Sequence, residues 1–283
     1  MTSVGVIGLG VIGKPIAVRL LKASYRVFVF DVRAEPVAEL KAAGANACAS
    51  PADVAAQSDI VISLVHDAAQ TDDVVFGADG VSGALKQGAI FATGSTLGPA
   101  PVQKISKALA KNGCDTLDIP ITGGYIAAAE GKLALMVGAD ETVLARALPV
   151  LYAFANVITH CGEVGAGQSA KLAHQLVLTM NVLALLEGLA LGTAGGVKPD
   201  VLKQVLKDGL ANSTALQVWH DLGPRWKGMM KPAAPGEPVP NLRKDLHTAL
   251  DLARELGLDL HIGEHASRIA DSGKATGHDN AAL

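Results

Sequence analysis

VGVIGLGVIGKPIAVRLLKASYRVFVFD, residues 4–31, is the stretch that decides the fold class of this chain. A short apolar run ends in the pattern GLGVIG, a helix-like segment follows, and a second apolar run ends at Asp31. This order of strand, glycine turn, helix, strand and acidic residue is typical of a dinucleotide-binding βαβ unit. A glycine turn alone is weak evidence, because turns without a ligand also contain glycine. The flanking apolar runs and the acid at the expected spacing favour the dinucleotide interpretation.

The glycines of this turn have separate physical roles in such a unit. Gly8 permits the turn, Gly10 lets the backbone approach a pyrophosphate, and Gly13 lets the helix pack closely on the strand. The helix N-terminus then faces the anion. The sequence therefore predicts cofactor contacts in the turn and at the end of the second strand, at Gly8, Leu9, Gly10, Val11, Ile12, Asp31, Val32 and Arg33.

Asp31 and Arg33 bear on which dinucleotide is bound. A carboxylate at this position accepts hydrogen bonds from the adenosine ribose and repels a 2′-phosphate, which favours NAD over NADP. Arg33 follows two residues later, and its positive charge can pair with that phosphate. We therefore expect NAD as the cofactor, with NADP as the alternative.

Short apolar runs continue to alternate with helical segments in the first part of the chain. Further strands are predicted at residues 60–65, 89–92, 116–119 and 133–137. This alternation predicts an α/β Rossmann-type, doubly wound and mainly parallel sheet over residues 1–163. Ligands bind such sheets just beyond the carboxyl ends of the strands. That edge adds four predicted cofactor contacts, Leu64, Val65, Ser95 and Thr96, although Thr96 equally suits a cap of the following helix.

The stretch GAGQSAKLAHQLVLTMNVLALLEGLALGTAGG, residues 165–196, predicts a loop and one long interdomain helix. The helix is apolar nearly all round, so we expect protein to cover most of its surface. Polar residues interrupt the apolar run, which favours a core helix over a membrane span. The pattern after it is helical, apart from a proline-rich break at residues 223–240. The sequence therefore predicts an all-α C-terminal domain over residues 164–283, beginning with the long helix.

Lys171, His174 and Gln175 form a polar stripe near the start of that helix, because they lie at positions i, i+3 and i+4. A lysine in apolar surroundings must be paired, solvated by a cleft, or shifted in its pKa. Lys171 is therefore the first candidate for chemistry. His174 and Gln175 are candidates for contact with a substrate, and His174 is equally well explained as a core histidine with its hydrogen bonds satisfied.

A second glycine-containing segment, DIPITGG, occupies residues 118–124. A hydroxyl followed by two glycines leaves backbone N–H groups available to hold a carboxylate. From this stretch alone, an ordinary turn between a strand and a helix is the favoured interpretation.

Composition limits the classes of partner. The 283 residues include 24 basic and 27 acidic residues, for a net charge of −3, and no basic cluster, so we expect no nucleic-acid partner. The three cysteines lack a CxxC spacing, which predicts neither a disulfide framework nor a thiolate zinc site and favours a reducing, cytoplasmic setting. We expect no secretory leader and no membrane association. His261 and His265 match a zinc-protease pattern, but no third ligand stands out, and we expect no metal.

Three motifs, GLGVIG, DIPITGG and GAGQSAK, occur in an order that resembles the β-hydroxyacid dehydrogenase family over nearly the whole chain. Its members include 3-hydroxyisobutyrate dehydrogenase and tartronate semialdehyde reductase, and 6-phosphogluconate dehydrogenase is a more distant relative. The resemblance implies that Lys171 is the catalytic acid/base, and that Thr122, Gly123 and Gly124 bind the substrate carboxylate. It also implies that Lys244 lies near the active site, where we expect it to contact the cofactor.

The chain departs from the family pattern at two places. Thr122 stands where the family usually has serine, and its extra methyl group narrows the pocket. His174 and Gln175 stand in KLAHQ, where the family usually has asparagine after the lysine, and this spacing is similar to KxxHN of the 6-phosphogluconate dehydrogenases. Imine reductases, another related group, typically lack the lysine.

The sequence therefore predicts an NAD(P)-dependent oxidoreductase. We expect it to interconvert a small 3-hydroxy acid and its semialdehyde or keto form, and to assemble as a homodimer or homotetramer. The alternatives are an enzyme like 6-phosphogluconate dehydrogenase, an enzyme like the imine reductases, and a non-catalytic NAD-binding sensor.

Overall fold

The structure is a computed structural model that describes residues 2–217 and 241–272. The chain forms two compact units, Met1–Lys171 and Leu172–Leu283. The predicted domain boundary between residues 163 and 164 lies shortly before this division and stays a prediction.

The first unit contains a sheet of nine strands covered by helices. The strands are β1 (Ser3–Ile7), β2 (Arg26–Phe30), β3 (Asn46–Ala47), β4 (Ile60–Ser63), β5 (Ile90–Thr93), β6 (Asp115–Asp118), β7 (Ile121–Thr122), β8 (Leu133–Gly138) and β9 (Ala155–Gly162). The helices are α1 (Gly13–Lys22), α2 (Ala34–Ala42), α3 (Pro51–Gln57), α4 (Ala68–Phe76), α5 (Pro99–Ala110), α6 (Gly124–Glu130) and α7 (Glu141–Leu151), with a short 3-10 turn at Val81–Gly83.

The strand order is β3-β2-β1-β4-β5-β6-β8-β7, with β9 paired to β8. Strands β1 to β6 pair in parallel, and β8 runs antiparallel to β6 and β7. The first six strands thus have the 3-2-1-4-5-6 order of a dinucleotide-binding sheet. The predicted α/β Rossmann-type fold is confirmed.

Apolar side chains fill both faces of this sheet, which is why its strands read as nearly continuous apolar runs. On one face, Val4 and Val6 pack in a buried cluster with Ile16 and Leu20 of α1 and with residues of α7. On the other face, Ile7 and residues of α3, α4 and α5 form a second buried cluster.

Helix α4 and strand β9 were not predicted from the sequence. Helix α4 begins where the Asp67 side chain accepts a hydrogen bond from the Gln70 N–H, and it buries Thr71, Val74 and Val75. Strand β9 pairs in parallel with β8 and is mostly exposed or half-buried, so it lacks the continuous apolar pattern of a central strand.

The second unit is helical throughout its described part. The long helix α8 (Ala166–Ala194) begins in the first unit and continues into the second, where α9 (Pro199–Asp208), α10 (Thr214–Gln217), α11 (Asn241–Glu255) and α12 (His261–Ser272) follow. Leu residues of α8, α10 and α11 form one buried cluster, and residues of α11 and α12 form another. The predicted all-α second part is confirmed for the described residues. The predicted break at residues 223–240 lies outside them, as do residues 273–283.

Most residues of α8 are buried or half-buried. Gln175, Thr179, Val182 and Leu189 form a buried seam, spaced three to seven residues apart, whereas much of the remaining surface is half-buried or exposed. By length and composition α8 is also apolar enough to cross a membrane. A single helix of this kind is weak evidence, because core helices of soluble proteins meet the same criterion. Eight of the 29 residues of α8 are exposed, and they follow one stripe along the helix, so the expectation that protein covers most of α8 agrees with the structure.

Candidate active site

The glycine turn between β1 and α1 has the geometry that a bound dinucleotide requires. Gly8 has a φ of +88°, a conformation that favours glycine, and its N–H donates to the Phe30 carbonyl at 3.0 Å. A Cβ on Gly13 would overlap the carbonyl oxygen of Gly8, so this glycine permits the close approach of helix and strand. A Cβ on Gly10 would meet no atom within 4 Å. The backbone at Gly10 is therefore open to a ligand, as the approach of a pyrophosphate demands.

Asp31 lies at the end of β2, beside this turn. Its Oδ2 atom accepts the Leu9 N–H at 2.6 Å, and its Oδ1 atom accepts the backbone N–H of Arg33 at 2.9 Å. The Arg33 guanidinium donates through Nε to Oδ1 at 3.0 Å and through Nη2 to Oδ2 at 3.2 Å. Burial by itself raises the pKa of Asp31, but the hydrogen bonds from Arg33 and Leu9 outweigh it and hold the pKa below its ordinary value.

A surface groove of about 540 Å³ opens beside the glycine turn. Its walls include Gly10, Val11, Lys14, Arg33 and Tyr125. Val11 and Val32, which are also predicted to contact the cofactor, are accessible, since Val11 is 71% exposed and Val32 is 91% exposed. The turn, the carboxylate of Asp31 and the open groove together fit the adenosine and pyrophosphate parts of an NAD-type dinucleotide.

The structure brings together the predicted cofactor residues that follow β4 and β5. Ser95 is buried, and its Oγ donates to the Val65 carbonyl at 2.6 Å. A Cβ on Gly94 would lie 2.5 Å from Cδ2 of Leu64, and one on Gly8 would lie 2.9 Å from the Leu64 carbonyl carbon. The loops that hold Leu64, Val65, Ser95 and Thr96 are thus adjacent to each other, and Leu64 lies next to the glycine turn.

Lys171 lies next to the DIPITGG segment. Its side chain is buried, and the Nζ atom donates to the carbonyl of Ile121 at 2.7 Å. Ile121 directly precedes Thr122, and the two residues form β7. Gly123 and Gly124 then have φ values of +119° and +69°, and a Cβ on Gly124 would meet no atom within 4 Å. The amine of Lys171 is therefore fixed one residue from a glycine-containing turn whose backbone is open at Gly124.

A buried aspartate holds the start of α8, the helix that bears Lys171. Asp118 ends β6 and is fully buried; its Oδ1 accepts the Gly165 N–H at 2.6 Å, and its Oδ2 accepts the Gln168 N–H at 2.7 Å. A Cβ on Gly167 would lie 2.6 Å from Oδ2 of Asp118 and would overlap the Met136 carbonyl oxygen. Gly167 of the GAG pattern thus lets the start of α8 pack closely against the edge of the sheet. Burial raises the pKa of Asp118 to about 6, although these backbone hydrogen bonds act in the opposite direction.

Gln168, on the first turn of α8, links this helix to the loop after β5. Its Oε1 atom accepts the N–H groups of Leu97 at 2.9 Å and Gly98 at 3.2 Å. Its Nε2 atom donates to the carbonyl of Ser95 at 2.9 Å. The side chain is fully buried, so these three bonds lie away from solvent.

In the second unit, the predicted residues His174, Gln175 and Lys244 are joined through Asp245. The Nε2 atom of Gln175 donates to Oδ2 of Asp245 at 2.7 Å, and Oε1 of Gln175 lies 3.1 Å from Nδ1 of His174. The Lys244 ammonium lies 3.0 Å from Oδ1 of Asp245. Asp245 is only 4% exposed, so this network is largely shielded from solvent.

The histidines of the protease-like pattern have other neighbours. His261 lies 3.2 Å from Asp259, and Nδ1 of His265 lies 3.4 Å from the Arg268 guanidinium. Within residues 2–217 and 241–272, no three His, Cys, Asp or Glu side chains come together as a metal site.

Sequence reasoning assigned no role to Asp118, Gln168 or Asp245. A signal existed for Asp118, since it lies at the end of a predicted strand and opens the DIPITGG segment. Gln168 and Asp245 are polar residues at buried helical positions, and burial of that kind requires hydrogen-bond partners. Which partners they meet depends on segments far away in the sequence.

Family models match both parts of the chain. Residues 3–162 match the NAD binding domain of 6-phosphogluconate dehydrogenase, and residues 165–283 match the NAD-binding domain of NADP-dependent 3-hydroxyisobutyrate dehydrogenase. Among curated proteins, 2-(hydroxymethyl)glutarate dehydrogenase of Eubacterium barkeri is 34% identical over 97% of this chain and 90% of its own length. The 2-hydroxy-3-oxopropionate reductase of Escherichia coli is also 34% identical, over 90% of this chain and 86% of its own length.

This chain belongs to the β-hydroxyacid dehydrogenase family. Among solved structures, 3-hydroxyisobutyrate dehydrogenase from Salmonella typhimurium is similar with a TM-score of 0.83 and 31% identity, covering 96% of this chain and 94% of the other. Imine reductases such as that of Myxococcus stipitatus reach a TM-score of 0.69 at 19% identity, which shows a shared fold alone.

Membership of the family confirms three predictions about this β-hydroxyacid dehydrogenase. It is an enzyme, it is an oxidoreductase of the NAD(P)-dependent hydroxyacid dehydrogenase class, and its cofactor is NAD with NADP as the alternative. The roles of individual site residues, including Lys171, stay predictions.

Proposed function

We propose that this β-hydroxyacid dehydrogenase interconverts a small 3-hydroxy acid and its semialdehyde or keto form, with Lys171 as the general acid/base. The proposal rests chiefly on one contact, the hydrogen bond of 2.7 Å from Lys171 Nζ to the Ile121 carbonyl. This bond fixes the amine beside Thr122, Gly123 and Gly124, which are the residues proposed to bind the substrate carboxylate. NAD(P), when bound, supplies or accepts the hydride.

The residues of this chain manage the proton and the carboxylate. In the oxidative direction, neutral Lys171 takes the proton from the substrate hydroxyl as the carbon–hydrogen bond breaks. In the reductive direction, the Lys171 ammonium polarises the carbonyl and returns a proton to its oxygen. Backbone N–H groups at Gly123 and Gly124, together with the Thr122 hydroxyl, hold the carboxylate and so set which carbon faces the lysine. His174 and Gln175 are proposed as further substrate contacts.

The names of several relatives suggest which substrates to test. They include L-threonate dehydrogenase of Cupriavidus necator and an NAD-dependent L-serine dehydrogenase of Pseudomonas aeruginosa, at 33% and 35% identity. All of these names denote small carboxylates with a hydroxyl or oxo group. The substrate can be identified with a panel of 3-hydroxyisobutyrate, L-serine, L-threonate and 2-hydroxy-3-oxopropionate, with 6-phosphogluconate representing the competing class. Turnover of each compound is followed by the change in nicotinamide absorbance, once with NAD and once with NADP.

Replacement of the lysine tests its role directly. Lys171→Ala removes the proton carrier, so turnover of the preferred substrate should fall by about 10²-fold to 10⁴-fold. NADH affinity, measured by fluorescence titration, should change little. Retained turnover would contradict the acid/base role. If wild-type protein binds NADH tightly but turns over no member of the panel, the non-catalytic sensor becomes the better description.

We propose that Asp31 and Arg33 together set the cofactor preference. An ionised carboxylate offers about four acceptor positions, and two backbone N–H groups and the guanidinium already occupy them at Asp31. The ribose hydroxyls of NAD therefore require Arg33 to swing away, and the displaced guanidinium is then available to a 2′-phosphate. Asp31→Ala should weaken NAD more than NADP, and Arg33→Ala should weaken NADP more than NAD. Equal losses of both cofactors in titrations of either variant would contradict this division.

We further propose that this enzyme is a cytoplasmic homodimer or homotetramer. Large apolar side chains of the second unit are open in the single chain, with Val177 57%, Leu191 78% and Val205 60% exposed, and contact with another copy would cover such side chains. The three cysteines are unpaired, which is compatible with a reducing compartment. Light scattering should give twice or four times the chain mass of 28.9 kDa, and a monomeric mass would refute the assembly.

A further inference from the structure

Gln168 has an unusual position in the first unit, because a single buried side chain connects two segments that the proposed reaction uses. Its amide oxygen accepts two backbone N–H groups, from Leu97 and Gly98, and its amide nitrogen donates to the Ser95 carbonyl. All three partners belong to the loop between β5 and α5. Lys171 lies three residues further along α8, on the same side of the helix.

We propose that Gln168 is a positioning residue that fixes the loop of Ser95 and Thr96 relative to the Lys171 amine. The inference rests on the function proposed above, in which this loop contacts the nicotinamide half of the cofactor. Asp118 accepts the backbone N–H of Gln168 at 2.7 Å, so the helix end of the link is itself held to the sheet. The loop is held by the three bonds of the Gln168 side chain. The length of that one side chain therefore sets the distance between the loop and the backbone of α8.

The loop depends on Gln168 for hydrogen bonds that no nearby side chain provides. Gly98 precedes α5 with a φ of +85°, and that helix has no side-chain cap at its start. The N–H groups of Leu97 and Gly98 are buried, and both donate to Gln168. Another anchor of the loop is the Ser95 hydroxyl, which donates to the carbonyl of Val65 after β4. Loss of the glutamine amide therefore removes three bonds between the loop and α8, while the bond of Ser95 to Val65 persists.

Two substitutions and a matched control separate positioning from general stability. Gln168→Met keeps the length of the side chain and removes all three bonds, whereas Gln168→Asn keeps the amide but is one methylene too short. Gln103→Met is the control, because the exposed Gln103 donates a single bond of 3.3 Å to the Val164 carbonyl, also near the start of α8. All measurements use the full chain at a temperature at which thermal unfolding shows each variant to be folded.

Three readouts test the proposal. Hydrogen exchange, followed by mass spectrometry, should rise in peptides that cover residues 95–98 and not in peptides from α8. The fluorescence anisotropy of bound NADH should fall, because the nicotinamide half gains motion. The kcat for the panel substrate that wild type uses should fall about 10-fold to 100-fold in Gln168→Met, with KM changed less than about threefold, since small displacements of reacting groups lower the rate steeply. Gln168→Asn should be intermediate, and Gln103→Met should resemble wild type.

Other outcomes would overturn the proposal. Unchanged exchange at residues 95–98 and unchanged kcat in a folded Gln168 variant would show that the glutamine does not position the loop. A fall in kcat that Gln103→Met reproduces would show a general effect of loosening the start of α8. If Gln168→Met does not fold, the same readouts on Gln168→Asn decide. Wild-type protein that does not bind NADH would instead refute the proposed function, and this inference with it.

Discussion

Two glycine-containing turns in the first unit lead into helices, and each donates backbone N–H groups to an aspartate at the end of a strand. In the turn before α1, Leu9 donates to Asp31, and a Cβ on Gly10 would meet no atom within 4 Å. In the turn before α8, Gly165 and Gln168 donate to Asp118, and a Cβ on Gly167 would collide with the sheet. Glycine thus leaves room for a ligand in the first turn and for the protein itself in the second.

The pKa values of the two aspartates, Asp31 and Asp118, are shifted in opposite directions. Asp31 is paired with the guanidinium of Arg33, and its pKa is held below the ordinary value. Asp118 is sealed from solvent, and burial raises its pKa to about 6. Hydrogen bonds and the ion pair favour the charged form of Asp31, whereas burial disfavours the charged form of Asp118. Substitutions in the two turns should therefore have separable effects on stability and on cofactor binding.

The largest effect is expected from Gly167→Ala. The added methyl group would overlap the Met136 carbonyl oxygen and lie 2.6 Å from Oδ2 of Asp118, and both of those neighbours are fixed in the sheet. The free energy of unfolding should fall by about 3 kcal/mol or more, as expected for overpacking against backbone. Urea unfolding followed by circular dichroism measures this. A stability within about 0.5 kcal/mol of wild type would mean that the helix start is not tightly packed on the sheet.

A somewhat smaller effect, visible in its pH dependence, is expected from Asp118→Asn. Because the folded pKa lies above the ordinary value of 3.8, the folded chain holds this proton more tightly than the unfolded chain does. The group therefore stabilises the fold fully below pH 3.8, and that contribution is lost as the pH rises to about 6. Between pH 4 and pH 7 the stability of wild type relative to Asp118→Asn should fall by about 2 to 3 kcal/mol.

Asp31→Asn is the matched control for this experiment. The pKa of Asp31 is lowered, so its contribution to stability is present above pH 3.8 and is lost only as the pH falls below that value. Relative to wild type, the control should therefore show little change in slope between pH 4 and pH 7. Equal slopes for the two variants, each followed by urea unfolding, would remove the distinction between the aspartates.

The smallest effect on stability is expected from Gly10→Ala, because the methyl group points into open space. The free energy of unfolding should change by less than about 1 kcal/mol, or rise slightly, as the unfolded chain loses freedom. The NADH affinity should nevertheless fall about tenfold or more, since the added methyl group occupies the space through which a pyrophosphate approaches. Fluorescence titration and thermal unfolding on one sample give both values. Wild-type affinity would show that the cofactor does not approach the turn at Gly10.

The contrast between the turns also explains which features the sequence could predict. GLGVIG and its flanking strands lie within 28 consecutive residues, 4–31, so the turn, its helix and Asp31 could all be predicted from local spacing. Helix α4 was missed because its large apolar residues stand together at its end, at 74–76, and lack helical spacing. Strand β9 was missed because its mostly exposed residues show no continuous apolar run. The apolar composition of α8 predicted that protein covers most of the helix, but it could not say which stripe of the helix stays exposed.

The sequence by itself determined the class of fold, the order of a nucleotide-binding part and a helical part, and the lysine at the start of the long helix. These features depend on periodicity and on glycine positions, which are local properties of a chain. Only the tertiary structure decided that Lys171 donates to Ile121, that Asp118 holds α8 and that Gln168 holds the loop after β5. The partners of Asp118 lie 47 and 50 residues away, and that of Lys171 lies 50 residues away. Such contacts arise because buried polar groups must find partners wherever the folded sheet brings them, and no local pattern specifies which ones.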